Sequence, residues 1–198
     1  MTRLILASSS PFRKALLDKL NLPYEAVSPD IDETRLDAET PHQYVTRLAE
    51  QKARALQQTF PDSLIIGSDQ TAIINGDTIG KPGNYDNAFR QLTDASGQKI
   101  TFLTGLSLLN GRTGACETDV IPFHVYFRTL TPEMIENYLL AEQPYNCAGS
   151  FKSEGLGIAL FEKLEGDDPN ALIGLPLIRL IRMLCCSLNS IMFCGMYL

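Results

Sequence analysis

The chain of 198 residues is long enough for one sizeable domain or for two small lobes that share a core. Its formal net charge of −6 repels a phosphate backbone, so we expect no nucleic-acid partner, and any anion site must be built locally. Five cysteines without a C-x-x-C pair fit neither a disulfide framework nor a zinc site, and two histidines exclude a histidine-rich metal centre. Because the pattern of a signal peptide is missing, we expect a cytoplasmic protein.

The first predicted elements are a strand, a turn and a helix. Residues 3–7 (RLILA) form a short apolar run bounded by polar residues, which is typical of a buried strand. Ser10 followed by Pro11 is typical of an N-cap and a first helical position. Phe12 and Leu16 then lie on one face of the predicted helix, so Phe12 is a candidate core residue.

A second helix is predicted behind Thr40, with Tyr44, Leu48 and Ala55 on its buried side and Lys52 near that side. The remaining predicted elements are a strand over 64–67 that ends at Ser68-Asp69-Gln70, a hairpin over 71–80, a helix over 86–94, two or three strands within 99–130, a helix from 132 to just before Pro144, and a helix over 177–184. Strands and helices alternate, which favours an α/β sheet over a helix bundle.

The last stretch, residues 183–198, is uncharged and rich in cysteine. It falls short of the roughly 20 apolar residues that span a bilayer, and polar residues interrupt it, so we expect no membrane contact. We predict that the final helix ends near Leu184 and that residues 185–198 form an apolar tail without a chemical role.

Ser8, Ser10 and Arg13 follow the first predicted strand. Serine hydroxyls, helix N-terminal amides and a guanidinium at such a turn suit a phosphate group. The alternative is a helix cap beside a solvated arginine, and these residues alone do not decide between the two.

Asp69 lies at the predicted end of an apolar strand, where α/β sheets usually carry ligand sites, although it also fits a turn cap. Asp32 and Glu33 supply oxygen ligands for a divalent cation or form a solvated loop. Lys52 and Lys81, taken singly, are an ordinary helix-face charge and an ordinary turn residue. Taken together, these carboxylates and cations suit a magnesium-bound triphosphate.

Four segments closely resemble the Maf family of nucleoside triphosphate pyrophosphatases: 6–17 (LASSSPFRKALL), 65–73 (IIGSDQTAI), 79–82 (IGKP) and 145–177, which begins YNCAGSFKSEGLG. The resemblance runs from about residue 3 to about residue 184, so we expect a single catalytic domain over 1–184. It implies a Maf/ITPase-like fold, in which two lobes share a mixed sheet with flanking helices around a central cleft. It also implies a homodimer, a divalent metal (Mg²⁺ or Mn²⁺), and hydrolysis of a nucleotide to its monophosphate and pyrophosphate.

The resemblance assigns roles to particular residues by motif. Ser8, Ser10 and Arg13 match the triphosphate site of the family. The matches to its catalytic cluster are Glu33, Lys52, Asp69 and Lys81, with Asp69 as the proton acceptor. Glu33, together with Asp69, is the expected metal ligand, and Gln70 is expected to line the base pocket.

Two positions, Phe12 and Glu154, resemble the branch of the family that cleaves 7-methyl-GTP. The dTTP- and UTP-cleaving branch has arginine and glutamine there. N7-methylated guanine carries a positive charge, which an aromatic face attracts and an arginine repels. A glutamate accepts both N–H groups of the guanine edge, whereas thymine and uracil offer one N–H between two carbonyls.

Two other functions stay open at this point. One is a broad-specificity nucleotide pyrophosphatase that acts on substrates such as UTP and CTP. The other is a non-catalytic regulator of septum formation that binds nucleotides, because the family is linked to that process. A pure binding protein has no need of a base beside its phosphate site, so analysis of reaction products separates these possibilities.

Overall fold

The computed structural model describes residues 3–188. Its strands are β1 (Arg3–Ala7), β2 (Glu25–Val27), β3 (Ser63–Ile74), β4 (Asp77–Ile79), β5 (Lys99–Asn110), β6 (Cys116–Phe127) and β7 (Phe161–Glu165). Its helices are α1 (Pro11–Asp18), α2 (Pro41–Ala55), α3 (Tyr85–Ala95), α4 (Pro132–Glu142), α5 (Pro169–Ile173) and α6 (Leu177–Leu188), with short 3₁₀ turns at Ala148–Ser150 and Leu156–Leu160.

The strands form one mixed sheet in the order β2-β1-β3-β5-β6-β7, with β4 paired to β3. β1 runs parallel to both β2 and β3, whereas the β3–β4 and β6–β7 pairs are antiparallel. The mixed sheet flanked by helices confirms the predicted α/β class. The chain divides into two compact units, the first made of residues up to Gln70, Thr104–Ile121 and residues from Gly174 onward, the second of Thr71–Leu103 and Pro122–Ile173.

In the first unit, α2 lies unusually close to the sheet. A Cβ atom added at Gly67 of β3 would lie 2.0 Å from the backbone oxygen of Ala49, and one added at Gly105 of β5 would lie 2.3 Å from the backbone oxygen of Val45. The predicted buried side of α2 is partly wrong, because Ala55 is exposed. The buried residues are Val45, Leu48, Ala49, Lys52 and Ala53.

We expect Gly67→Ala to destabilise the protein by about 3 kcal/mol, because the new methyl group meets the backbone of α2 rather than a flexible side chain. The free energy of unfolding, measured by urea denaturation, checks this. Gly80→Ala is the matched control, because a Cβ there has no atom within 4 Å. Equal unfolding midpoints for the two variants would contradict the close approach of helix and strand.

In the second unit, four phenylalanine rings form an aromatic cluster. Phe151 makes edge-to-face contacts with three other rings, at centroid distances of 5.4 Å to Phe102, 5.6 Å to Phe127 and 4.8 Å to Phe161. Such contacts add to the burial of the rings. The chain on either side of Phe151 is therefore fixed to the core at this residue.

Two predicted boundaries are wrong. β3 does not end at Ser68-Asp69-Gln70 but continues to Ile74, because the strand pairs with β1 up to Gly67 and with β4 from Ala72 onward. The final helix continues past Leu184 to Leu188. The rest of the predicted tail, 189–198, lies outside the described residues. Among the described helices, none has the length and apolar character needed to cross a bilayer.

Candidate active site

The parallel pairing of β1 with β3 places two polar segments side by side. The last pair in the register is Ala7 with Gly67, and Ser8 and Ser68 are the next residues along the chain. The chain leaves the sheet after β1, while β3 continues through Asp69. Asp69 therefore lies within a strand, not at its end, two residues beyond the last pair with β1.

Lys52 brings together two of the predicted carboxylates. Its Nζ lies 2.6 Å from Oδ1 of Asp69 and 2.8 Å from Oε1 of Glu33. Lys52 is only 6% exposed and Asp69 only 7%, so both charges are largely removed from water. Burial of charged groups is tolerated when they are paired, and here one ammonium holds two carboxylates.

The loop that carries Glu33 is fastened to α2. The hydroxyl of Tyr44 donates a hydrogen bond to the backbone oxygen of Glu33, at 3.0 Å. Burial raises the pKa of Tyr44, and the negative charges of Asp69 and Glu33 raise it further. Arg47 binds both carboxylate oxygens of Glu39, at 2.6 and 2.8 Å, and lowers the pKa of Glu39 to about 2. The long acidic loop is thus held at both ends.

Ser8, Ser10 and Arg13 are linked in one turn. The backbone N–H of Arg13 donates to Oγ of Ser10 at 3.4 Å, so Ser10 is the N-cap of α1 as predicted. The backbone N–H of Ser10 donates to Oγ of Ser8 at 3.1 Å. Both hydroxyl oxygens accept here, which leaves their protons available to donate to an anion.

Arg13 is not a solvated helix-face residue. Its side chain is half-buried, and Nε donates to the backbone oxygen of Gly174 at 2.8 Å. Burial lowers the pKa of Arg13, and the charges of Asp69 and Glu33 act in the opposite direction. Within residues 3–188 no carboxylate forms an ion pair with Arg13. A guanidinium held in place by a backbone carbonyl and without a direct carboxylate partner suits a phosphate group.

Sequence reasoning missed Ser68 and Gly174 as supporting residues. The hydroxyl of Ser68 donates to the same Gly174 oxygen, at 2.9 Å, so this one carbonyl connects β3 to Arg13. The φ angle of Gly174 is +119°, a conformation that favours glycine. In the sequence, the only sign of this contact is the glycine within 173–176 (IGLP), for which the sequence predicted no function.

Phe12 and Gln70 also belong to the first unit. Phe12 is half-buried, whereas the fully buried positions of α1 are Leu16 and Leu17, so Phe12 is not a fully buried core residue. Gln70 is half-buried as well, and its Nε2 donates to Oγ1 of Thr104 on β5 at 3.0 Å. These observations do not assign either residue to a base pocket.

Lys81 and Glu154 lie in the second unit, and both are exposed. The segment around Lys81 is held by α3, where Nδ2 of Asn87 donates to the backbone oxygen of Pro82 at 2.9 Å. Burial raises the pKa of Cys147; Glu154 adds to this rise, and Lys81 opposes it. Both predicted residues therefore act electrostatically on the same half-buried thiol.

The donor set for a metal ion consists of the two carboxylates on Lys52. Among the described residues there is no group of three or more histidine, cysteine or acidic side chains that could hold a metal. The second oxygens of Glu33 and Asp69 make no hydrogen bond within the described part of the chain. Because Mg²⁺ commonly takes one or two carboxylates plus substrate phosphates and water, this pair fits such an ion.

The sequence matches the model of a known family, described as Maf-like protein, over residues 3–186. The chain belongs to the Maf family. It is 60% identical over 181 residues to the 7-methyl-GTP pyrophosphatase of Alcanivorax borkumensis, covering 91% of this chain and 92% of that protein. It is 55% identical over 184 residues to the enzyme of the same name from Pseudomonas syringae pv. tomato, covering 93% and 96%. Maf-family pyrophosphatases generally need a divalent metal ion.

The similarities of this chain to solved structures are more distant. The Ham1 protein of Staphylococcus aureus matches with a TM-score of 0.44 and 15% sequence identity, over 64% of this chain and 71% of that one.

Proposed function

We propose that this protein hydrolyses 7-methyl-GTP to 7-methyl-GMP and pyrophosphate, as a nucleotide house-cleaning enzyme. The observation that carries the proposal is the buried Lys52 with its two carboxylates, which lies in the same unit as the Ser8, Ser10 and Arg13 turn. A potential base beside an anion site favours an enzyme over a nucleotide-binding regulator. The names of relatives that are 55% and 60% identical support this substrate.

In the proposed reaction, Asp69 accepts a proton from a water molecule whose oxygen attacks the α-phosphorus. The bond from that phosphorus to the bridging oxygen breaks, and pyrophosphate leaves with the electron pair. Arg13, Lys52 and Lys81 stabilise the negative charge on the leaving group, so positioning and electrostatics supply most of the rate enhancement. Ser8 and Ser10 bind phosphate oxygens through their hydroxyl protons.

Glu33, together with Asp69, is the proposed ligand set for a divalent cation, Mg²⁺ or Mn²⁺. When bound, such an ion neutralises charge on the phosphate oxygens. The ion pairs to Lys52 orient the two carboxylates, since each uses one oxygen on the ammonium. Asp69 thus has two proposed roles, as metal ligand and as proton acceptor.

We assign selection of the nucleotide base to Phe12 and Glu154, with Gln70 as a further candidate for contact with the base. The aromatic ring of the half-buried Phe12 suits a cation–π contact with the positively charged methylated guanine. The exposed carboxylate of Glu154 suits a bidentate contact with the two N–H groups of the guanine edge. Residues 1–184 as a single catalytic domain, the homodimer and the cytoplasmic location are likewise proposals.

A nucleotide panel tests the function directly. We expect the highest kcat/KM with 7-methyl-GTP, lower values with GTP, UTP, CTP and dTTP, and loss of activity when EDTA removes Mg²⁺ or Mn²⁺. Product analysis should give monophosphate and pyrophosphate in equal amounts. Similar kcat/KM values for all the nucleotides would indicate the broad-specificity alternative, and saturable binding without products would indicate a regulator.

A further inference from the structure

A short loop in the second unit presents Glu154 to solvent. It runs over 152–156, just behind the buried Phe151. The hydroxyl of Ser153 donates to Oε2 of Glu154 at 3.2 Å. Since Glu154 itself is exposed, its position depends on how the loop is held at its two ends.

The carboxylate of Glu142, at the end of α4, binds both ends of this loop. Its Oε1 accepts from Nζ of Lys152 at 3.2 Å, and its Oε2 accepts from the backbone N–H of Leu156 at 2.9 Å. The bond from Leu156 and the contact with Lys152 both lower the pKa of Glu142. The side chain of Glu142 therefore binds the loop on both sides of Glu154.

Packing against α4 adds to these hydrogen bonds. A Cβ atom on Gly155 would lie 2.7 Å from Oε2 of Glu142, so the loop backbone lies directly against the carboxylate. The hydroxyl of the buried Tyr138, one turn earlier on α4, accepts from the backbone N–H of Lys152 at 3.0 Å. The loop is thus attached to one helix at three points.

Glu142 also binds a positive charge close in sequence to Glu154. Nζ of Lys152 donates to the backbone oxygen of Glu142 at 3.0 Å as well as to its carboxylate. Lys152 is only two residues from Glu154, and Glu154 forms no ion pair within the described part of the chain. A released lysine ammonium on its flexible stem would be free to pair with Glu154 and cancel its charge.

We infer that Glu142 is a positioning residue for selection of the nucleotide base. It holds the loop that presents Glu154, and it keeps Lys152 away from that carboxylate. The inference rests on the proposed function, in which Glu154 contacts the methylated guanine. It adds a residue that does not touch the substrate and that no motif singled out.

Glu142→Gln tests the inference with little change in shape. The new amide still accepts from Leu156, but its NH₂ group repels the ammonium of Lys152, which then keeps only its hydrogen bond to the backbone oxygen of residue 142. We expect the ratio of kcat/KM for 7-methyl-GTP to that for UTP to fall about tenfold. The change should lie in KM for 7-methyl-GTP, with kcat and the UTP values nearly unchanged, because only base binding is lost.

Two further variants keep the test independent of folding. Tyr138→Phe removes one attachment point of the loop without changing a charge, and should lower the ratio in the same direction by a smaller factor. Glu136→Gln is the matched control, since Glu136 is exposed on the same helix, and its ratio should equal that of the wild type. Circular dichroism and thermal unfolding establish that all variants are folded.

Two results would overturn the role of Glu142 without affecting the proposed function. One is that Glu154→Gln lowers the ratio of kcat/KM for 7-methyl-GTP to that for UTP, whereas Glu142→Gln leaves it unchanged. The other is that Glu142→Gln lowers kcat equally for both nucleotides. If the wild-type protein shows no preference for 7-methyl-GTP, the proposed function itself fails, and the role of Glu142 fails with it.

Discussion

Asp69→Asn is expected to lower kcat for 7-methyl-GTP by about a thousandfold, because an amide cannot accept the proton of the attacking water. Asparagine keeps the volume of the side chain, and its oxygen still accepts from Lys52. Glu33 remains as the charged partner of that ammonium, so the buried charge is not left unpaired. The loss should therefore appear in turnover and not in folding, and measurement of pyrophosphate release checks it.

Asp62→Asn is the matched control for this variant. Asp62 forms an exposed ion pair with Arg112, in which both side chains are about three-quarters exposed, at 75% and 76%. Such pairs contribute little to stability, so kcat should equal that of the wild type. Near-normal turnover in Asp69→Asn would mean that Asp69 is not the base.

The second large effect is expected from replacing the two residues that we assign to recognition of the nucleotide base. Phe12→Arg combined with Glu154→Gln should lower the preference for 7-methyl-GTP over UTP about a hundredfold, since one change replaces attraction of a cation by repulsion and the other removes a bidentate acceptor. Each single variant should lower the preference by a smaller factor. Competition assays with both nucleotides measure the ratio directly.

Glu162→Gln serves as the control for loss of a carboxylate, because Glu162 is exposed on β7. It should leave the ratio unchanged. If the double variant keeps the wild-type ratio, the assignment of Phe12 and Glu154 is wrong, while the hydrolysis reaction itself is not affected. The two large predictions therefore test chemistry and base selection separately.

The sequence alone determined the local features of this protein. Ser10, Thr40 and Thr131 each cap the helix that follows, and Asn75-Gly76 closes the hairpin between β3 and β4. These features form between residues only a few positions apart, so the residue types themselves decide them. The motifs that resemble the Maf family also lie in continuous strings, which is why the family was predicted correctly.

Contacts between distant residues, in contrast, depend on how the whole chain folds. The side chain of Arg13 donates to a carbonyl 161 positions further along the chain. The ammonium of Lys52 forms ion pairs with both Glu33 and Asp69. β3 continues through a polar triplet because its neighbours change from β1 to β4, which no local pattern records. Strand partners and buried ion pairs depend on the free energy of contacts between separate segments, so their geometry emerges only when the whole chain has folded.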